Sequence, residues 1–155
     1  MSIVLSGVYS AIVTPFTSDG ASVDWESFDR ILASQVRARV AGVVVCGTTG
    51  ESPTLSTEEK QRAISTAIRV TAGTGVRVIA GTGSNDTRDT VEATAWAKAA
   101  GADAALVVNP YYNRPTQAGL LAHFRAVAVR ARLLSLGRRR RGRGVYGMIL
   151  TRSLP

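Results

Sequence analysis

Gly42-Val43-Val44-Val45-Cys46-Gly47-Thr48-Thr49-Gly50-Glu51-Ser52-Pro53-Thr54 is the stretch that decides the fold. Three consecutive valines read as a strand buried on both faces, the pattern of a parallel sheet covered by helices. The strand stops at Gly47, and two hydroxyls, a second glycine and a carboxylate follow at once. Ser56 and Glu59 then stand at the spacing of a capping box and open a helix. Strand, glycine-bracketed polar loop and capped helix make a βα unit, and α/β folds bind small molecules at the carboxyl ends of such strands. Glycines on either side of Thr48-Thr49 let backbone N–H groups come close to an anion.

The same grammar repeats on both sides. Gly7 to Val13 reads as a first strand closed by Thr14-Pro15-Phe16, followed by a helix capped by Asp24 with Phe28, Ile31, Leu32 and Val36 on one face. After the valine strand, the capped helix sets Ala63, Ile64, Ala67 and Ile68 on one side. Val76 to Ala80 is a third strand, stopped by Gly81-Thr82-Gly83. A third helix runs over 86–100, with Val91, Ala95 and Ala99 expected inward and Gly101 as its stop. Asp103 to Val108 is a fourth strand leading into Asn109-Pro110-Tyr111-Tyr112-Asn113-Arg114-Pro115, after which Thr116 caps a helix bearing Leu120, Leu121, Phe124 and Val127. Four βα units in a row predict an α/β fold with a parallel sheet and right-handed crossovers. An eight-unit barrel takes about 250 residues, so four units are half of one. Periodicity alone leaves a doubly wound open sheet as the alternative.

Charge divides the chain in two. Up to Ala128, nine arginines and two lysines balance eleven acids; the formal charge of +8 comes entirely from Arg130, Arg132, Arg138, Arg139, Arg140, Arg141, Arg143 and Arg152. The predicted division is therefore 1–128 as a folded half-barrel and 129–155 as a divergent arginine-rich tail. A block of this density has no helical or strand period and reads as disordered. Only Val145-Tyr146-Gly147-Met148-Ile149-Leu150 looks like a strand within it. A genuine tail and a shift of reading frame are both open, the shift being favoured because composition changes in the middle of a helix. An open half-barrel has unpaired edges, which predicts aggregation or chaperone binding unless two halves associate. A single cysteine, Cys46, excludes an internal disulfide and suits a reducing compartment. With no apolar run near the roughly 18 residues of a membrane span and no secretory signature at the N-terminus, the expected location is the cytoplasm.

Three motifs at strand ends carry a resemblance: Gly47-Thr48-Thr49-Gly50-Glu51-Ser52, Gly81-Thr82-Gly83-Ser84-Asn85 and Pro110-Tyr111-Tyr112-Asn113-Arg114-Pro115. In this order they resemble the dihydrodipicolinate synthase and N-acetylneuraminate lyase family of class I aldolases, over about residues 3–128. The double threonine and the Asn-Arg-Pro run are most similar to its dihydrodipicolinate synthase branch. The resemblance implies a (β/α)8 TIM barrel in homotetramers built from tight dimers. It implies a lyase of lysine and diaminopimelate biosynthesis that condenses pyruvate with aspartate semialdehyde, with no metal or organic cofactor. Pyruvate would become a Schiff base on a lysine from the sixth strand, with a tyrosine from the fifth shuttling protons. By match of motif, Thr49 holds the pyruvate carboxylate as a substrate-binding residue. Thr48 and Tyr112 are catalytic: Thr48 passes protons to the shuttling tyrosine, and Tyr112 completes the relay across a dimer interface.

The chain departs from this pattern where chemistry would begin. The shuttling tyrosine should fall near residue 139, which is arginine, and the Schiff-base lysine has no counterpart. Lys60 and Lys98, the two lysines of the sequence, fall on helices, away from strand ends. A Schiff-base lysine must be neutral, which takes burial or a cationic neighbour. The expected outcome is an inactive half-enzyme.

Other residues have plainer readings. Tyr111 would sit near the family's lysine-inhibition site or serve as an ordinary aromatic. Glu51 reads as a backbone cap or a partner for a neighbouring loop, and Cys46 as a small core residue. His123, expected on the polar side of its helix with no second histidine or cysteine nearby, is no metal ligand. Gly81-Thr82-Gly83 is a poor dinucleotide fingerprint, because Asp86 stands where the third glycine belongs and would repel a pyrophosphate. Arg114 contacts a neighbouring subunit or a loop carboxylate, or is solvated. Two other functions are open: another 2-keto acid aldol reaction of the same family, and nucleic-acid binding through the arginine block. The second would show steep salt dependence and lacks interleaved aromatics.

Overall fold

The computed structural model describes residues 5–131, 134–138 and 147–151 of the chain. Its elements alternate as the sequence predicts: β1 (Tyr9–Ala11), α1 (Trp25–Arg37), β2 (Gly42–Val45), α2 (Thr57–Thr71), β3 (Arg77–Gly81), α3 (Thr87–Ala100), β4 (Ala104–Val108) and α4 (Gln117–Ala131). Two further strands follow, β5 (Leu134–Arg138) and β6 (Gly147–Thr151). The run Arg139 to Arg143 lies outside the described residues. The fold consists of two compact units, Leu5–Gly81 and a second that starts at Thr82.

In the first unit β1, β2 and β3 pair in parallel, with Ser10 opposite Val43 and Val43 opposite Val78. β1 is shorter than the apolar run suggests, although the Ile12 amide still donates to the Val44 carbonyl at 3.2 Å. Val43, Val45, Val78 and Ile79 are buried, whereas Val44, which points to the other face of β2, is only half-buried. So β3 is covered on both faces and the valine run fully on one. Asp24 caps α1 by accepting the Ser27 amide at 3.0 Å, and the helix buries Phe28 and Leu32 completely. The capping box at α2 is complete: the Glu59 amide donates to the Ser56 hydroxyl, and the Ser56 amide to the Glu59 carboxylate. α2 then buries Ala63, Ile64 and Ala67.

The second unit corrects two helix faces. On α3, Ala95 and Ala99 are exposed and Val91 is half-buried, while Thr90, Thr94 and Ala97 face inward. Threonine is tolerated there because each hydroxyl is satisfied. Thr90 donates to the Asp86 carbonyl at 2.7 Å and Thr94 to the Thr90 carbonyl at 2.6 Å, and Thr94 also meets the Thr82 hydroxyl at 2.8 Å. On α4, Leu121 is exposed, whereas Val127 and His123 are buried one turn apart. Val127 packs with Ala105 and Val107 of β4, and Val91, Phe124 and Ala128 close round them. The α4 start is capped as expected, the Gly119 amide donating to the Thr116 hydroxyl. Asp86 caps α3, accepting the Arg88 and Asp89 amides, and those two bonds hold its carboxyl below the ordinary carboxylate value. It is a structural cap, so the third glycine of a dinucleotide loop is absent in geometry as well as in sequence.

His123 does not lie on the polar side of α4. It is 4% exposed, edge-on to Phe124, with Nδ1 2.9 Å from the Thr87 hydroxyl and Nε2 buried without a partner among the described residues. Desolvation lowers its pKa from 6.5, so the folded chain favours the neutral ring. The unfolded chain then binds more protons in the window just below pH 6.5, and stability falls as pH falls through that window. His123 is the one histidine of the sequence, so it is the side chain whose ordinary value lies there. Thermal midpoints measured from pH 8 down to pH 5 should drop through this window in the wild type. The drop should be smaller in His123→Gln, which keeps a hydrogen bond to Thr87 and cannot ionise.

Candidate active site

The loop after β2 is built by backbone conformations that the sequence only partly announces. Cys46 (φ 55°) and Glu51 (φ 52°) both adopt the left-handed region, turning the chain sharply at each end of Gly47 to Gly50. Inside the turn the Gly50 amide donates to the Gly47 carbonyl at 3.1 Å and the Glu51 amide to the Thr48 carbonyl at 3.1 Å. From the end of β1, the buried Thr14 donates its hydroxyl to the Gly50 carbonyl at 2.8 Å. A Cβ on Gly50 would lie 3.2 Å from the Ile12 carbonyl oxygen and 3.3 Å from Thr14 Oγ1, tight contacts that need the loop to give by a few tenths of an ångström. Glu51 caps with its backbone: its carbonyl accepts from the Thr54 amide and hydroxyl, and it heads the 3₁₀ turn Ser52–Thr54.

Gly47 and Gly50 are buried while Thr48 and Thr49 are exposed between them. Among the described residues neither threonine hydroxyl makes a hydrogen bond. Two adjacent donors with no internal partner, on a loop anchored at both ends, are suited to receive a small anion. Thr14 was not among the residues singled out from the sequence; its only signal was a hydroxyl at the end of β1, where a strand-closing turn explains it equally well. Cys46 is 2% exposed, and burial pushes its thiol up to about 12, so it is an inert core residue and no nucleophile.

Tyr112 belongs to the second unit, on the loop between β4 and α4. The Asn113 amide donates to the Tyr111 carbonyl at 2.8 Å, closing a three-residue γ-turn around Tyr112, whose φ of 68° marks the rarer, strained kind. The turn throws the Tyr112 ring outward to 93% exposure, and Tyr111 is 46% exposed. Asn113 donates its side-chain amide to the Asn85 carbonyl at 2.9 Å, fastening this loop to the one before α3. Thr48 and Thr49 are therefore neighbours on one loop, and Tyr112 stands on a loop of the other unit. Arg114, also left-handed at φ 46°, is exposed.

Lys60 lies in the first turn of α2 and Lys98 in the last turn of α3, neither at a strand end. Among the described residues no group of three or more His, Cys, Asp or Glu could hold a metal ion, and no helix is long and apolar enough to cross a membrane.

The sequence model of the Dihydrodipicolinate synthetase family matches residues 4–135. The chain belongs to that family. The 4-hydroxy-tetrahydrodipicolinate synthase of Leptospira biflexa is 51% identical over 125 residues, which are 81% of this chain and 42% of that one. The synthase of Synechococcus sp. WH7803 is 54% identical over 127 residues, 82% of this chain and 41% of its own. Among solved structures, dihydrodipicolinate synthase from Aquifex aeolicus superposes with a TM-score of 0.77 at 47% identity, over 81% of this chain and 42% of that one. A chloride-inhibited dihydrodipicolinate synthase from Acinetobacter baumannii, solved complexed with pyruvate, gives a TM-score of 0.76 at 47% identity, over 79% and 42%. The four βα units of this dihydrodipicolinate synthetase family member thus match part of a TIM barrel, and the doubly wound alternative falls. The chain spans about 42% of the length of the relatives it matches.

Proposed function

We propose that this chain is the N-terminal part of a 4-hydroxy-tetrahydrodipicolinate synthase, a cytoplasmic lyase that condenses pyruvate with aspartate semialdehyde. In this reading it carries the loop that receives the keto acid's carboxylate and lacks the groups that perform the condensation. The observation that carries the reading is the pair of exposed hydroxyls of Thr48 and Thr49, without a hydrogen-bond partner among the described residues, on a loop anchored by Thr14.

The chemistry assigns each part. Thr49 orients the carboxylate through its hydroxyl, leaving the C2 carbonyl toward the barrel mouth. A neutral amine must then add to C2 and expel water, and the resulting iminium acidifies C3 so that it can attack the aldehyde. Proton traffic in those steps would run from Thr48 through a tyrosine of the fifth strand, with Tyr112 reaching a neighbouring subunit in the intact homo-oligomer. Lys60 and Lys98 cannot supply the amine from their helices, and position 139 is arginine. The fragment is therefore proposed to bind without turning over.

Binding without a covalent bond is weak. Six heavy atoms cap pyruvate near about 9 kcal/mol even for an ideal fit. Charge-assisted hydrogen bonds to the carboxylate contribute about 1.5–3 kcal/mol each, before association costs. The expected Kd is millimolar or weaker. Titration with pyruvate, followed by amide chemical shifts, should move the Thr48 to Gly50 resonances, and Thr49→Val should abolish the change. Shifts that persist in the variant, or none at all at about 50 mM (more than tenfold above a millimolar Kd), would overturn the reading.

A further inference from the structure

β6 pairs antiparallel with β4 along its whole length, from Ala104 opposite Thr151 to Val108 opposite Gly147. β5 pairs antiparallel with the other side of β6, from Leu134 opposite Thr151 to Arg138 opposite Gly147. Two antiparallel steps make β5 parallel to β4, which is the direction a fifth barrel strand takes after α4. It stands one strand too far out, because β6 is inserted between them. The family match ends at residue 135, inside β5, so β6 lies wholly beyond it.

The sequences of the two strands suit the positions the structure gives them. Gly147-Met148-Ile149-Leu150-Thr151 is the more continuous apolar run, and such runs take central positions. Leu134-Ser135-Leu136-Gly137-Arg138 alternates and ends in a charge, which suits an edge. Pairing within one chain is also spared the loss of translational and rotational freedom that pairing with a separate chain incurs.

We propose that β6 is an internal occupant of the β4 edge, an autoinhibitory strand that closes this chain to the remainder of a barrel. A second chain carrying the missing strands would have to displace β6 before its fifth strand could pair with β4. The proposal depends on strand register and not on the catalytic reading above, so either can fail without the other.

Paired cysteines test the register directly. In a Cys46→Ala background, Ala105→Cys with Leu150→Cys and Leu106→Cys with Ile149→Cys are the two on-register pairs. Antiparallel neighbours alternate between wide and narrow pairs, so one of the two falls at about 4.5 Å between Cα atoms, within disulfide reach. At least one should cross-link under mild oxidation, while the combination Leu106→Cys with Leu150→Cys, one residue off the register, should not. No on-register bond, or equal yield off register, would overturn the proposal. Ile149→Pro in the full chain supplies a second readout. Amides of 104–108 should exchange at least about tenfold faster while those of 42–45 stay unchanged. Unchanged exchange at 104–108 would count against β6 as their cover, and if 42–45 also accelerates, the cross-link yields decide.

Discussion

Gly81→Ala is expected to destabilise the unit formed by Leu5–Gly81 more than any other glycine-to-alanine change considered. A methyl carbon at position 81 would lie far inside van der Waals contact distance of the Cys46 carbonyl oxygen, and it would also lie 3.0 Å from the Gly47 nitrogen. Both are backbone atoms of the turn that presents Thr48 and Thr49, so no flexible side chain can swing aside. Overpacking costs about 1–3 kcal/mol where neighbours can shift, and a backbone clash belongs at or above the upper end. A comparison substitution isolates the cause. Gly73→Ala meets nothing within 4 Å but has φ 73°, so it should lose only the left-handed penalty, about 1–2 kcal/mol. Urea titrations of the two variants should separate clearly, with Gly81→Ala the less stable. Equal midpoints would show that the close passage of β3 against the end of β2 is looser than described.

The second large effect is Phe28→Ala. Phe28 is fully buried, and its ring meets Trp25 edge-on at a centroid distance of 6.1 Å. Arg62 of α2 lies 4.2 Å over the Trp25 ring, so the aromatic pair also joins α1 to α2. Emptying that site should cost about 3–5 kcal/mol, a large part of the total stability of an ordinary domain. Phe28→Leu, which keeps most of the volume, should retain more than half of the lost stability. Chemical denaturation of the three chains measures both, and a small loss for Phe28→Ala would mean that α1 collapses onto the sheet without it.

Element type and order were legible because β2, β3 and β4 are short runs holding valine or isoleucine and each helix has a side-chain cap. Asp24, Ser56 and Thr116 all accept backbone amides where the sequence placed them, and Asp86 proves to be a cap as well. Helix faces were less legible where hydrophobicity is a poor guide to orientation. Alanine reads as core and threonine as surface, yet α3 buries Thr90 and Thr94 because their hydroxyls bond to backbone carbonyls one turn earlier. His123 was misplaced for the same reason: its partner, Thr87, is 36 residues away and on another helix. At the candidate site, Thr48 and Thr49 stood out through glycine bracketing, whereas Thr14 acts from the segment after β1, and its hydroxyl reaches Gly50 only through the fold. The order of β5 and β6 was hidden because strand periodicity does not say which neighbour a strand will choose.

The proposal that the loop of Thr48 and Thr49 receives a keto acid, with no amine in the chain to capture it, is tested most directly by reductive trapping. The 155-residue chain is incubated with pyruvate and borohydride, and its intact mass is compared with that of a full-length relative such as the Leptospira biflexa synthase treated in parallel. The relative is expected to gain one reduced pyruvate adduct and this chain none. A stoichiometric adduct on Lys60 or Lys98 would contradict the account.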